Sequence, residues 1–318
     1  MSEKDHKLPL ERPELDKPYY AVVETRRGQA LLEVAYDDNP TNPRSDRDNI
    51  GALYSWTPRI TCLDENPYRH EEDFLAEAFA DNGCCADHLY EATKATEGRL
   101  VPRLVTFQDY DYEPTRDRDM ADYVALFDGD EMAYDKNGGE ILWDVPSGDD
   151  LLVGCEQAAW QIGSYLASCY PYDLTVGLLK SDCAIVPIFG LSHSGVTISA
   201  RRFNDRWDSG VVGFGYIDGE TARDNFPNAD SPIEAARNYL ISGIEEYDRY
   251  LNVDVYEYTL YDLDGDEIGA ERNINVPYKS LAKTITEALD ITTAKSLGCH
   301  HDVEEALDAW RGDKAPER

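Results

Sequence analysis

The chain has 318 residues, 42% of them hydrophobic and 11% aromatic, and it carries a formal charge of −33 from 63 Asp and Glu against 30 Lys and Arg. Its density of Tyr, Val, Ile and Leu excludes a wholly disordered chain. With no basic patch to release counterions, direct nucleic-acid binding is not expected.

Residues 1–18, broken by Pro9, Pro13 and Pro18, read as a flexible tail. Tyr19 to Arg27 and Ala30 to Asp37 then read as two strands joined at Gly28-Gln29. A loop dense in Asn, Asp, Pro and Arg runs from Asp37 to Gly51. Over residues 70–98, Phe74, Leu75, Ala78 and Phe79 fall at helical spacing and Gly83 ends the first segment. A hairpin is expected around Lys136-Asn137-Gly138-Gly139, and a helix from Cys155 to Tyr170 that Pro171 stops. Four β-rich runs follow between Leu174 and Ile217: LTVGLLKS, CAIVPIFGL, GVTISARRF and GVVGFGYI. Ser231-Pro232-Ile233-Glu234 forms a capping box with Pro at the first helical position. The helix it opens places Ile233, Ala236, Leu240, Ile244 and Leu251 on one face. Two strands, VDVYEYTLYDL and EIGAERNI, precede helices near 279–290 and 302–310. The expected architecture is α+β, a mostly antiparallel sheet with packed amphipathic helices and a helical insertion. Its expected parts are the tail, a single domain over 19–275 with an insertion at about 66–173, and C-terminal helices over 276–318.

Acids occur in nearly every block of ten without a long like-charged run, and Lys is scarcer than Arg. Carboxylates spread in this way fit a surface adapted to molar salt, where the Debye length falls to about 3 Å and self-repulsion is screened. The competing reading is a DNA mimic that inhibits a host defence protein, which needs carboxylates in a duplex-like double row. The opening MSEKDHKLPLERPELDKP lacks the apolar centre of an export signal, and no stretch approaches the ~20 apolar residues of a membrane helix. Seven scattered Cys read as reduced thiols, so the expected location is cytoplasmic, with no membrane contact.

Chemistry-bearing residues concentrate in Leu191-Ser-His-Ser-Gly195 and Asp205-Arg-Trp-Asp-Ser-Gly210, where polar groups and Gly interrupt apolar strands. His193 with Asp208 could form an oriented acid/base pair, with Ser194 or Ser209 as nucleophile. Arg44, Asn49, Arg206, Trp207 and Ser209 are the candidate ligand-binding residues, with Arg44, Arg47 or Arg206 suited to an anionic group. The plainer reading of the same residues is turn chemistry. No G-x-S-x-G elbow, P-loop or Rossmann fingerprint accompanies them. Asp262-Leu-Asp264-Gly-Asp266-Glu267 has its Gly fourth rather than sixth, so it reads as a hairpin turn and not a calcium loop. Cys84-Cys85-Ala-Asp-His88 and Cys299-His300-His301 lack zinc-ligand spacing, so neither metal nor cofactor is expected.

Three blocks, DDNPTNPRSDRDNIGAL (37–53), LSHSGVTISARRFNDRWDSGVVGFGYI (191–217) and IEEYDRYLNVDVYEYTLYDLDGDEIG (244–269), resemble a family of small proteins encoded by tailed phages and plasmids. Its members carry, in the same order, an Asn-Pro-Arg segment ending in Asp-Asn-Leu-Gly, a His-Ser-Gly strand leading to Trp-Asp-Ser-Gly, and an acidic helix ending in Tyr-Asp-x-Tyr-Leu. This chain departs from the pattern at Asp46-Arg47-Asp48, where a Trp-containing segment is usual, and in the enlarged 66–173 region. The resemblance implies an accessory protein of a virus or mobile element, here in a halophilic host, that binds a host or viral protein partner. It supplies no mechanism. The alternative is a hydrolase or nucleotide-processing enzyme centred on His193 and Asp208. That reading requires the Asn-Pro-Arg loop to meet the 191–210 segment in one cleft.

Overall fold

The computed structural model describes residues 8–45, 48–57, 60, 63–82, 100–105, 123–128, 131–132, 142–144, 159–192, 195–204 and 209–313. The strands are β1 (Tyr19–Thr25), β2 (Gly28–Tyr36), β3 (Ala52–Ser55), β4 (Leu100–Val105), β5 (Tyr123–Asp128), β6 (Glu131–Met132), β7 (Leu142–Asp144), β8 (Ala184–Ser192), β9 (Val196–Ser199), β10 (Ser209–Ile217), β11 (Tyr256–Tyr261), β12 (Glu267–Ile274) and β13 (Thr293–Cys299). The helices are α1 (Glu71–Asn82), α2 (Ala159–Cys169), α3 (Tyr172–Leu179), α4 (Gly219–Asn225), α5 (Pro232–Leu251), α6 (Tyr278–Ala288) and α7 (Val303–Asp313). This is the expected α+β class, and the strand pairings are antiparallel. No helix among the described residues is long and apolar enough to cross a membrane.

The chain divides into two compact units. The first comprises Met1–Arg47, Ser192–Thr197 and Glu245–Arg318, and the second Asp48–Leu191 and Ile198–Ile244. In the first, a five-stranded sheet runs β12-β11-β2-β1-β13. The run YYAVV in β1 is apolar without alternation because both faces are covered. Tyr19, Ala21 and Val23 pack with Leu281 and Ile285 of α6, whereas Tyr20 and Val22 pack with Ala306, Leu307 and Trp310 of α7.

Three expectations for this unit change. Residues 8–18 are not a free tail: Leu8 is 3% exposed and belongs to the core under α6, because an apolar Leu outweighs its polar neighbours. The β1–β2 hairpin turns at Arg26-Arg27, not Gly28-Gln29, since Thr25 pairs with Gly28. Thr25 fixes that position by accepting from the Arg27 amide at 3.1 Å and donating to the Gly28 carbonyl at 3.0 Å. The C-terminal region is not helical throughout, for β13 lies between α6 and α7 and pairs with β1.

In the second unit the sheet order is β3-β10-β8-β9. Phe74, Leu75, Ala78 and Phe79 of α1 pack with Tyr165 and Leu166 of α2, Leu178 and Leu179 of α3, and Phe214 of β10. The α1–α2 crossing depends on Gly163, where a Cβ would lie 2.9 Å from the Ala76 carbonyl oxygen. The run LTVGLLKS, expected as a strand, forms most of α3, with Thr175, Leu178 and Leu179 buried on one face. Short apolar runs fit either period, and here packing against α1 decides. The serine half of the capping box is present, the Glu234 amide donating to Ser231 Oγ at 3.4 Å, while the Glu234 carboxylate pairs with Arg237. Along α5, Ala236, Leu240, Ile244 and Tyr247 are buried, while Ile233 and Leu251 are half-buried. The outer edge of β3 is not open to water. Asp64 accepts from the Leu53 amide at 2.7 Å and donates its own amide to Leu53 at 3.2 Å, and Asn66 reaches the Ser55 carbonyl at 3.2 Å. The region expected as a helical insertion also holds the β4–β7 sheet, in which β5 pairs with β4, β6 and β7. The hairpin expected at 136–139 lies outside the described residues.

Candidate functional site

β8 and β10 set the frame for the polar cluster. Their register places Ser209 opposite Leu191 and Gly210 opposite Gly190. Both strands are buried along their central residues and emerge at this end, where Ser192 and Gly210 are exposed and Leu191 and Ser209 half-buried. A Cβ added at Gly210 would meet nothing within 4 Å. At this end the strands grow more exposed, and the residues that follow in the sequence are polar. His193, Ser194, Arg206, Trp207 and Asp208 lie outside the described residues.

Asn49 lies at the other end of β10. The Ile50 amide donates to Tyr239 Oη at 3.3 Å, and Ala52 pairs with Tyr216. Gly51, at φ +68, presses so closely on β10 that a Cβ would fall 2.4 Å from the Tyr216 carbonyl oxygen and 2.2 Å from Ile217 Cγ1. Antiparallel strand rises ~3.4 Å per residue, so Tyr216 lies roughly 24 Å along β10 from Ser209. The structure thus does not bring Asn49 and Ser209 into one site.

Arg44 belongs to the first unit, in a loop anchored at its start. Asp37 is 3% exposed, and its carboxylate accepts from the Asn39 amide at 2.9 Å and the Asn273 amide at 2.8 Å. Asn273, at φ 60, accepts in turn from the Thr41 amide at 3.1 Å. The Asn42 side chain then accepts from the Arg44 amide at 2.9 Å, and the Asn42 carbonyl from the Ser45 amide at 3.0 Å. The Asn-Pro-Arg block is thus built as a turn tied to β12, which gives its residue types a structural reason.

The remaining motifs behave as turns and caps. The Asp262 carboxylate accepts from the Asp264 and Asp266 amides, each at 2.9 Å, and Gly265 stands at φ +97, giving the expected hairpin turn. His300 Nε2 lies 3.0 Å from the Leu297 carbonyl and Nδ1 lies 3.8 Å from Glu305. The amide of His301 donates to Glu305, and this bond, ahead of the nearby histidines, holds the Glu305 carboxyl below its ordinary range. Among the described residues no three His, Cys, Asp or Glu side chains are grouped to hold a metal ion. Cys84, Cys85 and His88 lie outside them.

Two cavities open in the described parts, one of about 360 Å³ beside Trp56, Thr57 and Glu65, the other of about 250 Å³ beside Glu24, Lys295 and Trp310. Neither is lined by a nominated residue. Sequence reasoning missed a tyrosine-walled slot in the first unit, formed by Tyr19, Tyr36, Tyr256 and Tyr278 around residues 8–13. The signals that could have found it were the abundance of Tyr, 21 in all, and the apolar Leu8 and Leu10 within a proline-punctuated segment. Comparison with protein-family models, curated proteins and solved structures found no match to this chain.

Proposed function

We propose that this chain is a non-catalytic accessory protein of a virus or mobile element in a salt-rich host cytosol, and that it acts by docking a host or viral protein partner. The observation that carries the reading is that Asn49 and Ser209, two of the candidate ligand-binding residues, belong to opposite ends of β10, where Tyr216, the partner of Ala52, lies roughly 24 Å from Ser209. An enzyme site that used both Asn49 and Ser209 would have to span that separation. The docking face is the end of the sheet at Leu191 and Ser209. Arg206, Trp207 and Asp208 immediately precede Ser209 in the chain, and Trp and Arg are the residue types that most often anchor interfaces. The Asp and Glu scattered through the chain fit solvation in molar salt better than the double row of a DNA mimic.

The test is made in multimolar KCl with wild type, Arg206→Ala, Trp207→Ala, His193→Ala and Asp208→Asn. All four variants should unfold at or above the wild-type temperature, since a site kept for binding does not support the fold. Arg206→Ala and Trp207→Ala should also lose a partner that wild type captures from host lysate. A loss of several degrees in both His193→Ala and Asp208→Asn would identify a hydrogen-bonded structural corner instead. Dialysis into dilute buffer should lower the unfolding temperature of every protein in the set, and an unchanged temperature would count against a salt-adapted surface.

A further inference from the structure

Residues 8–18 form a strap that docks on the first unit. Leu8 is buried in the core beneath α6. Two phenols read the strap's backbone, Tyr19 Oη donating to the Pro9 carbonyl at 2.5 Å and Tyr278 Oη to the Leu10 carbonyl at 3.0 Å. Arg12 donates from Nε to Tyr36 Oη at 2.9 Å and from Nη2 to Asp254 at 2.8 Å, and its guanidinium lies 5.7 Å from the centre of the Tyr278 ring. Tyr36 stacks on Tyr256 at 5.2 Å, and Tyr256 lies 6.3 Å from Tyr278, so the slot is walled by rings. Proline-rich peptides dock on receptors in aromatic grooves of this kind. Tyr36 and Asp254 are 24 and 242 residues from Arg12, and Tyr278 is 268 from Leu10. Contacts so remote in sequence are the same whether the strap comes from its own chain or from another copy.

The connection between strap and body is a tight turn. The Glu14 amide donates to the Lys17 carbonyl at 3.0 Å, the Lys17 amide donates to Glu14 at 3.2 Å, and Lys17 Nζ lies 3.8 Å from the Glu14 carboxylate. Pro13 and Pro18 bracket the turn and fix φ at both of its ends. Leu15, at the tip, is 85% exposed. Opening this turn gives up two backbone hydrogen bonds and keeps every slot contact. In a two-fold pair the opened crossovers can run side by side, which offers both copies of Leu15 cover. Short hinges of this kind are the ones that exchange elements between protomers.

We propose that two copies of this chain exchange their Leu8–Pro13 straps, each slot of Tyr19, Tyr36, Tyr256, Tyr278 and Asp254 taking the strap of the other copy. The proposal is independent of the function argued above. It is tested with full-length Arg12→Asp and Asp254→Arg chains in molar KCl, followed by sedimentation and thermal unfolding. Each variant alone opposes like charges in every slot, in cis or in trans, and should sediment as a monomer. Mixed in equal amounts they restore an opposite pair in both slots of a heterodimer, so the mass should double and the unfolding temperature should rise. A mixture that keeps the monomer mass at every concentration overturns the proposal, as does a wild type that never dimerises. Asp254 also accepts from Tyr256 Oη, so Asp254→Arg could lose the fold. A second variant therefore inserts four Gly after Leu15 in the otherwise wild-type chain. A longer, flexible hinge lowers the cost of folding the strap back onto its own slot and should convert dimer to monomer, whereas a dimer indifferent to the insertion overturns the exchange.

Discussion

In the first unit, tyrosines of β11 direct their hydroxyls at carboxylates. Tyr258 donates to Glu271 at 2.8 Å and Tyr261 to Glu33 at 2.7 Å. In the second unit the aromatic side chains serve one another. Phe74 gathers the rings of Tyr54, Trp56, Tyr68, Phe214 and Tyr216 at centroid distances between 5.4 and 6.1 Å, several of them edge-on. The difference bears on how a chain with twice as many acids as bases builds its interior. A phenol satisfies a carboxylate without adding a cation, so a sheet can keep half-buried Glu with few Lys. The second unit instead keeps its apolar centre around rings, where loss of volume matters more than loss of a hydrogen bond.

Removing the hub of the ring cluster should break this contrast most strongly. Phe74→Ala is expected to cost roughly 3–5 kcal/mol, from lost burial plus the cavity left behind, measured by denaturant unfolding in KCl. A loss under about 1 kcal/mol would mean that the cluster repacks. Alkaline titration should affect both units. Burial, the first cause in each case, pushes the Tyr19, Tyr68 and Tyr258 phenols up to about 12. A group whose pKa is raised on folding contributes stability that is complete below the unfolded value of about 10 and is lost as pH rises through the folded value. Phenolate absorbance should therefore lag a free-tyrosine curve above about pH 10 and then rise as the protein unfolds.

Tyr261→Phe sharpens the comparison from the other side. It removes a donor from Glu33 but no ring, and should cost roughly 1–2 kcal/mol, the bond being charge-assisted yet half-exposed. In a double-mutant cycle with Glu33→Gln, part of that cost should appear as coupling. The smallest effect is expected at the cap of α4, where Asp218 accepts from the Thr221 amide at 2.8 Å. Asp218→Ala should cost about 1 kcal/mol or less, as for other N-caps. Burial alone would raise the Asp218 carboxyl, but hydrogen bonds from Thr221 and neighbouring amides outweigh it and hold the group below the usual range. Its contribution is thus present above the ordinary carboxylate pKa and lost as pH falls through the lowered folded value, so the wild-type advantage should vanish in acid.

Elements whose signal is local were legible in the sequence. The β1–β2 hairpin, the helix at Phe74, the capping box at Ser231 and the turn at Asp264-Gly265 follow from neighbouring residues, and they are present. What was not legible depends on partners far along the chain. TAKSLGC gives little strand signal alone and becomes β13 by pairing with β1. Residues 8–18 look like a tail until Asp254 and Tyr278 stand beside them. The candidate site shows the same limit. Polar residues between apolar runs marked where β8 ends and β10 begins, at Ser192 and Ser209, but nothing local could reveal that Asn49 belongs to the far end of β10.

The pairing of β1 with β13 also sets an order of events during synthesis. Tyr19 pairs with Cys299, so the β1–β2 hairpin is made long before the second neighbour of β1 leaves the ribosome. From Arg47 to Glu245 the ribosome adds 198 residues, which takes roughly 10–40 s at ~5–20 residues per second. Over that interval every strand of the β3-β10-β8-β9 sheet is made, while β1, with Tyr19, Ala21 and Val23 on one face, still lacks β13. The nascent chain is therefore most exposed to mispairing and to chaperone capture at β1.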